Sequence, residues 1–528
     1  MTSRVRVQTP SGPVEGVEER GVRVFRGIPY AGSTAGDGRF RAPEPVVAWC
    51  ETRDASEFAQ AAPQSGGGKG LFRNFSPIPG AGIGEECLNL NVWTPADAGP
   101  PRPVLVWVHG GGFSHGSGNF HLYSGEYLAR RGDVVVVTVN YRLGALGGLD
   151  LGSFAAGAGA ESNLGLRDQV AALEWVRSHV DSFGGDPGNV TLFGQSAGAM
   201  SACTLMTTSA ADGLFHRAIL QSGAGNNVND RARARRIAEV FLGELKLDPD
   251  RKDLLARLRA MDFRELLAAQ ARLGSSHGLA LGQMAWQPVL DGEIVNESPQ
   301  VRFQRGSAAK LPLLIGSNLD EWKMFTATDK KRRRLDESTL RGYLEQTFAL
   351  ENPSEGDEEV GVSARARAEE AMALYRVAPG GVTRSPGEMW ASLQTDRVFH
   401  YPAVKLAEAH ASHDRPTWFY RFDWKPPLAP RRVGACHSLE LAFVFGTLRT
   451  RWLRPLFGAS SRAVNLSVRM QDAWLSFARE GDPNSAGELS WPGYTSGRGL
   501  AKLFGGREEH DRAMDPALRQ FWDAVEGS

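Results

Sequence analysis

Val190-Thr-Leu-Phe-Gly-Gln-Ser-Ala-Gly-Ala199 is the stretch whose reading decides the fold. An apolar run (Val190, Leu192, Phe193) ends in Gly194-Gln195-Ser196-Ala197-Gly198, and small residues follow. This is the G-x-S-x-G pattern of a nucleophile elbow, a strand that turns sharply into a helix with serine at the tip. The turn is so tight that a β-carbon at 194 or 198 would meet neighbouring backbone, hence glycine at both positions. The pattern predicts a strained Ser196 at the amino end of a helix, where backbone N–H groups favour developing negative charge. Ordinary turns also use glycine and serine, so the pentapeptide takes its weight from what surrounds it.

Upstream, Val104-Leu-Val-Trp-Val108 and Val134-Val-Val-Val-Thr-Val139 are continuous apolar runs, the pattern of strands buried on both faces. His109-Gly-Gly-Gly-Phe113 lies between them, and Asp168 to Phe183 has helical spacing up to Gly184-Gly185. Strand, helix, strand, helix predicts an α/β fold with a mostly parallel central sheet and crossover helices. Residues 4–30 read as short strands and turns, and the glycine-rich tract Ser65–Gly70 together with Ser76–Gly84 as a mobile surface loop. Downstream, Arg231 to Leu273 is helical and amphipathic, and Leu311-Pro-Leu-Leu-Ile315 returns to the core. A second helical stretch runs to about Tyr375, and Trp418–Trp424 reads as the last strong strand. A loop with Gly434-Ala-Cys-His-Ser-Leu-Glu-Leu441 follows, and Asp515-Pro516 caps a closing helix. Residues 1–528 thus read as one domain with helical insertions at about 225–300 and 326–415 around a gorge.

Sixty basic residues balance sixty acidic ones, which speaks against a nucleic-acid surface. The longest strongly apolar run is far too short to cross a bilayer, and the first residues carry no apolar signal segment. The four cysteines (Cys50, Cys87, Cys203, Cys436) have neither disulfide-framework nor metal spacing. The expectation is a cytoplasmic protein with reduced thiols, a monomer or weak homo-oligomer, with no membrane or nucleic-acid partner. No glycine-rich dinucleotide fingerprint follows a strand, and no metal or organic cofactor is expected.

A serine hydroxyl needs a general base within hydrogen-bond reach, and a histidine base needs a carboxylate to fix its tautomer. On an α/β-hydrolase sheet these partners follow in the order serine, acid, histidine. Of eleven histidines, His109, His115, His121 and His179 precede Ser196, and His216 and His277 precede the one good acid-bearing strand. His400, His410 and His413 lie in or beside helical sequence, and His510 sits in a charged stretch with no strand before it. His437, in a glycine-containing loop after the last strand, is left as the base. Asp320 and Glu321 stand side by side after the 311–315 strand, and the residues alone do not separate them. Gly110-Gly111-Gly112 offers closely approaching N–H groups that, with that of Ala197, meet an oxyanion.

Taken together the chain resembles the type-B carboxylesterase family, that of bacterial para-nitrobenzyl esterases, mammalian carboxylesterases and cholinesterases. The matching stretches run over nearly the whole length and include Phe25-Arg-Gly-Ile-Pro-Tyr-Ala31, Glu86-Cys-Leu-Asn-Leu-Asn-Val92 and His109-Gly-Gly-Gly-Phe113. Asn163-Leu-Gly-Leu-Arg-Asp-Gln169, Gly194-Gln-Ser-Ala-Gly-Ala199, Gly316-Ser-Asn-Leu-Asp-Glu321 and Gly434-Ala-Cys-His437 continue the match. The resemblance implies an α/β-hydrolase fold and hydrolysis of small to medium neutral carboxylic esters through an acyl-enzyme. It implies a triad of Ser196, Glu321 and His437, choosing Glu321 over Asp320, with oxyanion donors at Gly111, Gly112 and Ala197. It also implies a supporting Ser222 and two structural ion pairs, Arg39 with Glu85 and Arg142 with Asp168.

Three positions depart from the family pattern. Ala62 stands where the disulfide partner of Cys87 is usual, Gln195 replaces the glutamate before the nucleophile, and Trp322 replaces the glycine after the acid. The same machinery serves amide, carbamate or lactone hydrolysis, and members that lost the serine are binding modules. The intact serine, histidine and glycine set argues for the enzyme.

Overall fold

In the computed structural model Val190–Phe193 run through the interior of one large sheet. The structure describes residues 3–65, 78–154, 159–277, 284–351, 357–378, 380–450, 460–484, 490–495, 498–506 and 509–527. The strands are β1 (Ser3–Thr9), β2 (Gly12–Glu19), β3 (Val22–Pro29), β4 (Arg53–Asp54), β5 (Asn89–Pro95), β6 (Arg102–Val108) and β7 (Val135–Val139). They continue as β8 (Gly185–Gln195), β9 (Arg217–Gln221), β10 (Leu313–Asn318), β11 (Thr417–Phe422), β12 (Leu500–Phe504) and β13 (His510–Arg512). Their order across the sheet is β1-β2-β3-β5-β7-β6-β8-β9-β10-β11-β12-β13, with β4 beside β2. Every neighbouring pair from β7 to β12 is parallel, and antiparallel strands flank this block on both sides. This is the α/β-hydrolase architecture.

The continuous apolar runs are continuous because both faces of the sheet are covered. Val104, Val106 and Val108 enter one apolar cluster with Val135, Val137, Val139, Val190 and Leu192. The helices Leu164–His179 and Ala197–Leu205 supply the other side of that cluster. Leu105 and Trp107 enter a second cluster with Phe193, Ile219 and Leu314. That face is closed by the segment Leu439–Leu448 and the helix Ser461–Glu480. Trp107, fully buried, lies 4.7 Å from the ring of Phe193 and 5.0 Å from that of Phe445.

The C-terminal part differs from the expectation. β11 ends at Phe422, and two further strands follow it, so Trp418–Trp424 is not the last strand. The signal was hidden because Leu500-Ala-Lys-Leu-Phe504 carries a lysine in mid-strand. Lys502 is 1% exposed, and its ammonium donates to Ser490 O and to Glu509. His510, read as having no strand before it, opens β13 directly after β12, where its Nε2 meets Ser490 O at 2.7 Å. Most of the glycine-rich tract read as a mobile loop (66–77) lies outside the described residues.

Between β9 and β11 the chain is mainly helical, with Arg231–Glu244, Leu254–Ala260 and Phe263–His277, then Glu337–Glu351, Asp357–Tyr375, Pro386–Thr395 and Tyr401–Ala411. A single π-helical turn, Asp396–His400, joins the last two. Among the described residues no helix is long and apolar enough to cross a membrane, and no group of three His, Cys, Asp or Glu side chains could hold a metal ion. All four cysteines are free, three of them buried. Both ion pairs form. Arg39 and Glu85 pair at 2.6 Å, and the Arg142 guanidinium grips Asp168 through Nε and Nη2 at 2.8 and 2.6 Å.

Candidate active site

β8 passes straight into the helix Ala197–Leu205, and Ser196 between them has φ 56° and ψ −128°. A serine held at positive φ is strained by about 1–3 kcal/mol and persists only where its surroundings leave no alternative. Those surroundings are backbone. Ser196 N–H donates to Gln221 O at 2.9 Å. At Gly198 a β-carbon would lie 2.0 Å from Val108 O, so the helix starts in contact with the end of β6.

The turn after β6 lies against this elbow. Gly110 sits so close that its missing β-carbon would be 2.9 Å from Ser196 Cβ. Gly111 has φ +121°, and a β-carbon there would be 1.9 Å from His115 O, so glycine is required. Gly112, at φ +60°, faces open space. Next to the turn, His109 stacks on Tyr141 at 4.5 Å, and the Tyr141 hydroxyl donates to His109 O. Burial holds the His109 imidazole down at about 4, so it stays uncharged beside the turn.

Glu321 and His437 come from the loops after β10 and β11 and are joined by a 2.6 Å bond from the imidazole Nδ1 to Glu321 Oε2. Glu321 is 0% exposed, and its Oε1 accepts the Asn318 backbone N–H at 2.7 Å. Asp320 points elsewhere: its carboxylate accepts Ala435 N–H and pairs with Lys323 at 2.8 Å. Of the two acids that the residues left open, Glu321 is the one against the histidine.

Gln195 is buried, and its side-chain nitrogen lies 3.0 Å from His437 Nε2. With Nδ1–H given to the carboxylate, Nε2 is the acceptor and the amide its donor. The described contacts of His437 include no hydrogen bond to the Ser196 hydroxyl; in unliganded sites such bonds are often long and tighten on binding. Ser222, at φ 53°, is fully buried behind the elbow, and its hydroxyl has no hydrogen-bond partner among the described residues. Trp322 is 2% exposed and packs on Phe325 and Phe399, whose rings lie 5.5 and 4.6 Å from the imidazole. Phe399 reaches that position from the π-helical turn, and Phe325 keeps 40% of its surface open.

One residue escaped the sequence reading. Glu440, three positions after His437, is 0% exposed and accepts from Asn318 Nδ2 at 2.6 Å and from Gln221 Nε2 at 3.2 Å. Burial, then the nearby charge of Glu321, pushes its carboxyl up to about 7. The only signal was a carboxylate one helical turn beyond the histidine, which on its own reads as surface.

The profile of the "Carboxylesterase family" matches residues 3–516. The para-nitrobenzyl esterase of Bacillus subtilis is 38% identical over 494 residues, covering 94% of this chain and 93% of that one. The phenmedipham hydrolase of Pseudarthrobacter oxydans is 34% identical, covering 93% of both chains. Among solved structures, the Geobacillus stearothermophilus carboxylesterase superposes with a TM-score of 0.82 at 35% identity, covering 99% of this chain and 100% of that one. With a serine elbow, a glycine turn and a bonded carboxylate–imidazole pair meeting above the parallel strands, the chain belongs to the carboxylesterase family and is a serine carboxylic-ester hydrolase.

Proposed function

We propose that Ser196 is the nucleophile of an acyl-enzyme mechanism in which His437 moves the proton and Glu321 orients His437. The observation that carries this reading is the 2.6 Å bond from His437 Nδ1 to a fully buried Glu321. With Nδ1 protonated, Nε2 carries the lone pair that takes the Ser196 proton as Oγ displaces the Gln195 amide from it and attacks the ester carbonyl. The backbone N–H groups of Gly111, Gly112 and Ala197 then hold the oxyanion. Collapse of the tetrahedral intermediate returns the proton from Nε2 to the leaving alkoxide and leaves the acyl group on Ser196. Water repeats the sequence: His437 takes its proton, and the acid and free serine are released.

The substrates are small to medium neutral esters. Apart from Glu321, which holds Nδ1, the side chains against the His437 ring are uncharged, namely the Gln195 amide and the Phe325 and Phe399 rings. Trp322 and Trp390, both buried, offer no open face to a cation.

Ser196→Ala is the test. Turnover of a chromogenic ester should fall by about 10⁶-fold with the fold intact, since removing the serine of such a unit removes nearly all of its catalysis. Labelling by a serine-directed organophosphate should disappear with it. Near-normal turnover by the purified variant would end the reading.

A further inference from the structure

We infer that Gln64 is a positioning residue for the ester-hydrolysing site, clamping the glycine turn that supplies the oxyanion donors. Gln64 lies far from Gly111 in sequence and is 5% exposed. Its amide pairs with the backbone of Gly116 in both directions. Nε2 donates to Gly116 O at 2.8 Å, and Gly116 N–H donates to Oε1 at 2.9 Å. A second Nε2 hydrogen goes to Ala62 O at 3.1 Å, so both amide hydrogens and the carbonyl are engaged. This is the pairing that a neighbouring strand would give, supplied by one side chain.

Gly116 is where such a clamp acts on the turn. It has φ +116°, and a β-carbon there would lie 2.3 Å from His109 Nδ1 and 2.4 Å from Gly110 O. Its backbone is therefore pressed on the first residue of the glycine run. From there the turn is stiff, because Ser114 and His115 N–H both donate to Gly111 O, and Gly110 abuts Ser196. Asn140 fixes the chain just beyond, accepting from Ser117 Oγ and Gly118 N–H. Between the strand end at Val108 and this anchor, Gln64 is the side chain that ties the far end of the turn in both directions. It does so in the segment where Ala62 leaves Cys87 without a disulfide.

The expected effect follows from when oxyanion donors act. They bond to charge that exists only in the transition state, so loosening them lowers kcat and leaves KM nearly unchanged. Loss of one donor outright lowers kcat by about 10²–10³-fold, so loosening the turn should cost roughly 10–100-fold. The inference rests on the proposed oxyanion role of Gly111 and Gly112.

The experiment is Gln64→Met, of similar size and without the amide, measured with a neutral chromogenic ester. Rates are taken per active serine, titrated to completion with an organophosphate, so that misfolded protein does not count. Expected is a 10–100-fold lower kcat with KM within about threefold of the parent. Affinity for a trifluoromethyl ketone, whose tetrahedral adduct needs the same donors, should fall in parallel. Gln64→Asn, which keeps an amide but is one methylene too short to pair with Gly116 in both directions, should show the same split. Unchanged kcat, a loss confined to KM, or a kcat loss with full ketone affinity would each overturn the inference. Should Gln64→Met yield no titratable enzyme, Gln64→Asn decides on the same two readouts. The Ser196→Ala result is independent of all of these, so a failure here leaves the nucleophile assignment standing.

Discussion

The two walls of the site are built from different materials. On the Ser196 side, Ser196, Ala197 and the glycine turn pack main chain against main chain, with Gly198 pressed on Val108 O and Gly110 on Ser196, and Gln64 ties only the far end of the turn. On the histidine side, Glu321 and His437 are held by side chains, with Asn318, Glu440, Gln195 and the Phe325 and Phe399 rings around them. Main-chain packing tolerates no added atom and gives all or nothing. Side-chain packing degrades in steps, and its electrostatics can be tuned. An atom added against the main chain of the first wall should therefore cost the fold, and a side-chain change on the second the rate.

The sharpest test of that contrast is Gly198→Ala. Its methyl would lie 2.0 Å from Val108 O, where no flexible side chain can give way. The expected outcome is loss of both soluble protein and activity, read by yield and thermal melting. A folded, active Gly198→Ala enzyme would erase the distinction. Glu321→Gln should do the opposite, keeping the melting temperature within a few degrees while kcat falls about 10⁴-fold, since a neutral amide cannot stabilise the imidazolium. Asp320→Asn, which touches Ala435 and Lys323 instead, should cost less than tenfold. If Asp320→Asn is the more damaging of the two at matched stability, the acid is misassigned.

Glu440 gives a smaller, pH-dependent effect. Its carboxyl is pushed from about 4.5 when exposed to about 7 when buried, so between those values the folded state holds a proton that the unfolded chain has released. Stability is then lost as pH rises through this window, by about 3 kcal/mol in total at about 1.4 kcal/mol per pH unit. Glu440→Gln removes the titration. The difference in melting temperature between variant and parent should move in the variant's favour from pH 5 to pH 8, and a difference independent of pH would show that Glu440 does not titrate there. The smallest effect expected is none: with four free cysteines, a reducing agent should change neither melting temperature nor turnover. The denatured protein should titrate as four thiols without prior reduction.

The same contrast explains what could be read from the residues. Main-chain constraint leaves a mark, because only glycine fits beside Val108 O or at φ +121°, so the elbow and the glycine turn were legible. The parallel core was legible too, since strands covered on both faces are apolar throughout. Side-chain constraint left weaker marks. Glu321 was separated from Asp320 only by family resemblance, and Glu440 looked like any surface acid on a short helix. β12 was missed because Lys502 is buried with its ammonium bonded, which reads in sequence as an exposed position.

The two-faced sheet has a consequence for how the chain is made. β1 to β9 all lie within the first 221 residues and form a contiguous run of strands, so the serine elbow and the glycine turn belong to the half synthesised first. Tyr123, Leu128 and Ala129 cover part of the Trp107, Phe193 and Ile219 face, and most of the remaining cover comes from residues beyond 438. Until those emerge from the ribosome, the growing chain holds Ser196 without His437 in place and a sheet with one apolar face only partly covered. Such intermediates are the ones prone to aggregate. A polypeptide stopped before the helix Ser461–Glu480 should therefore need a chaperone to stay in solution, and hydrolytic competence should be among the last properties the protein acquires.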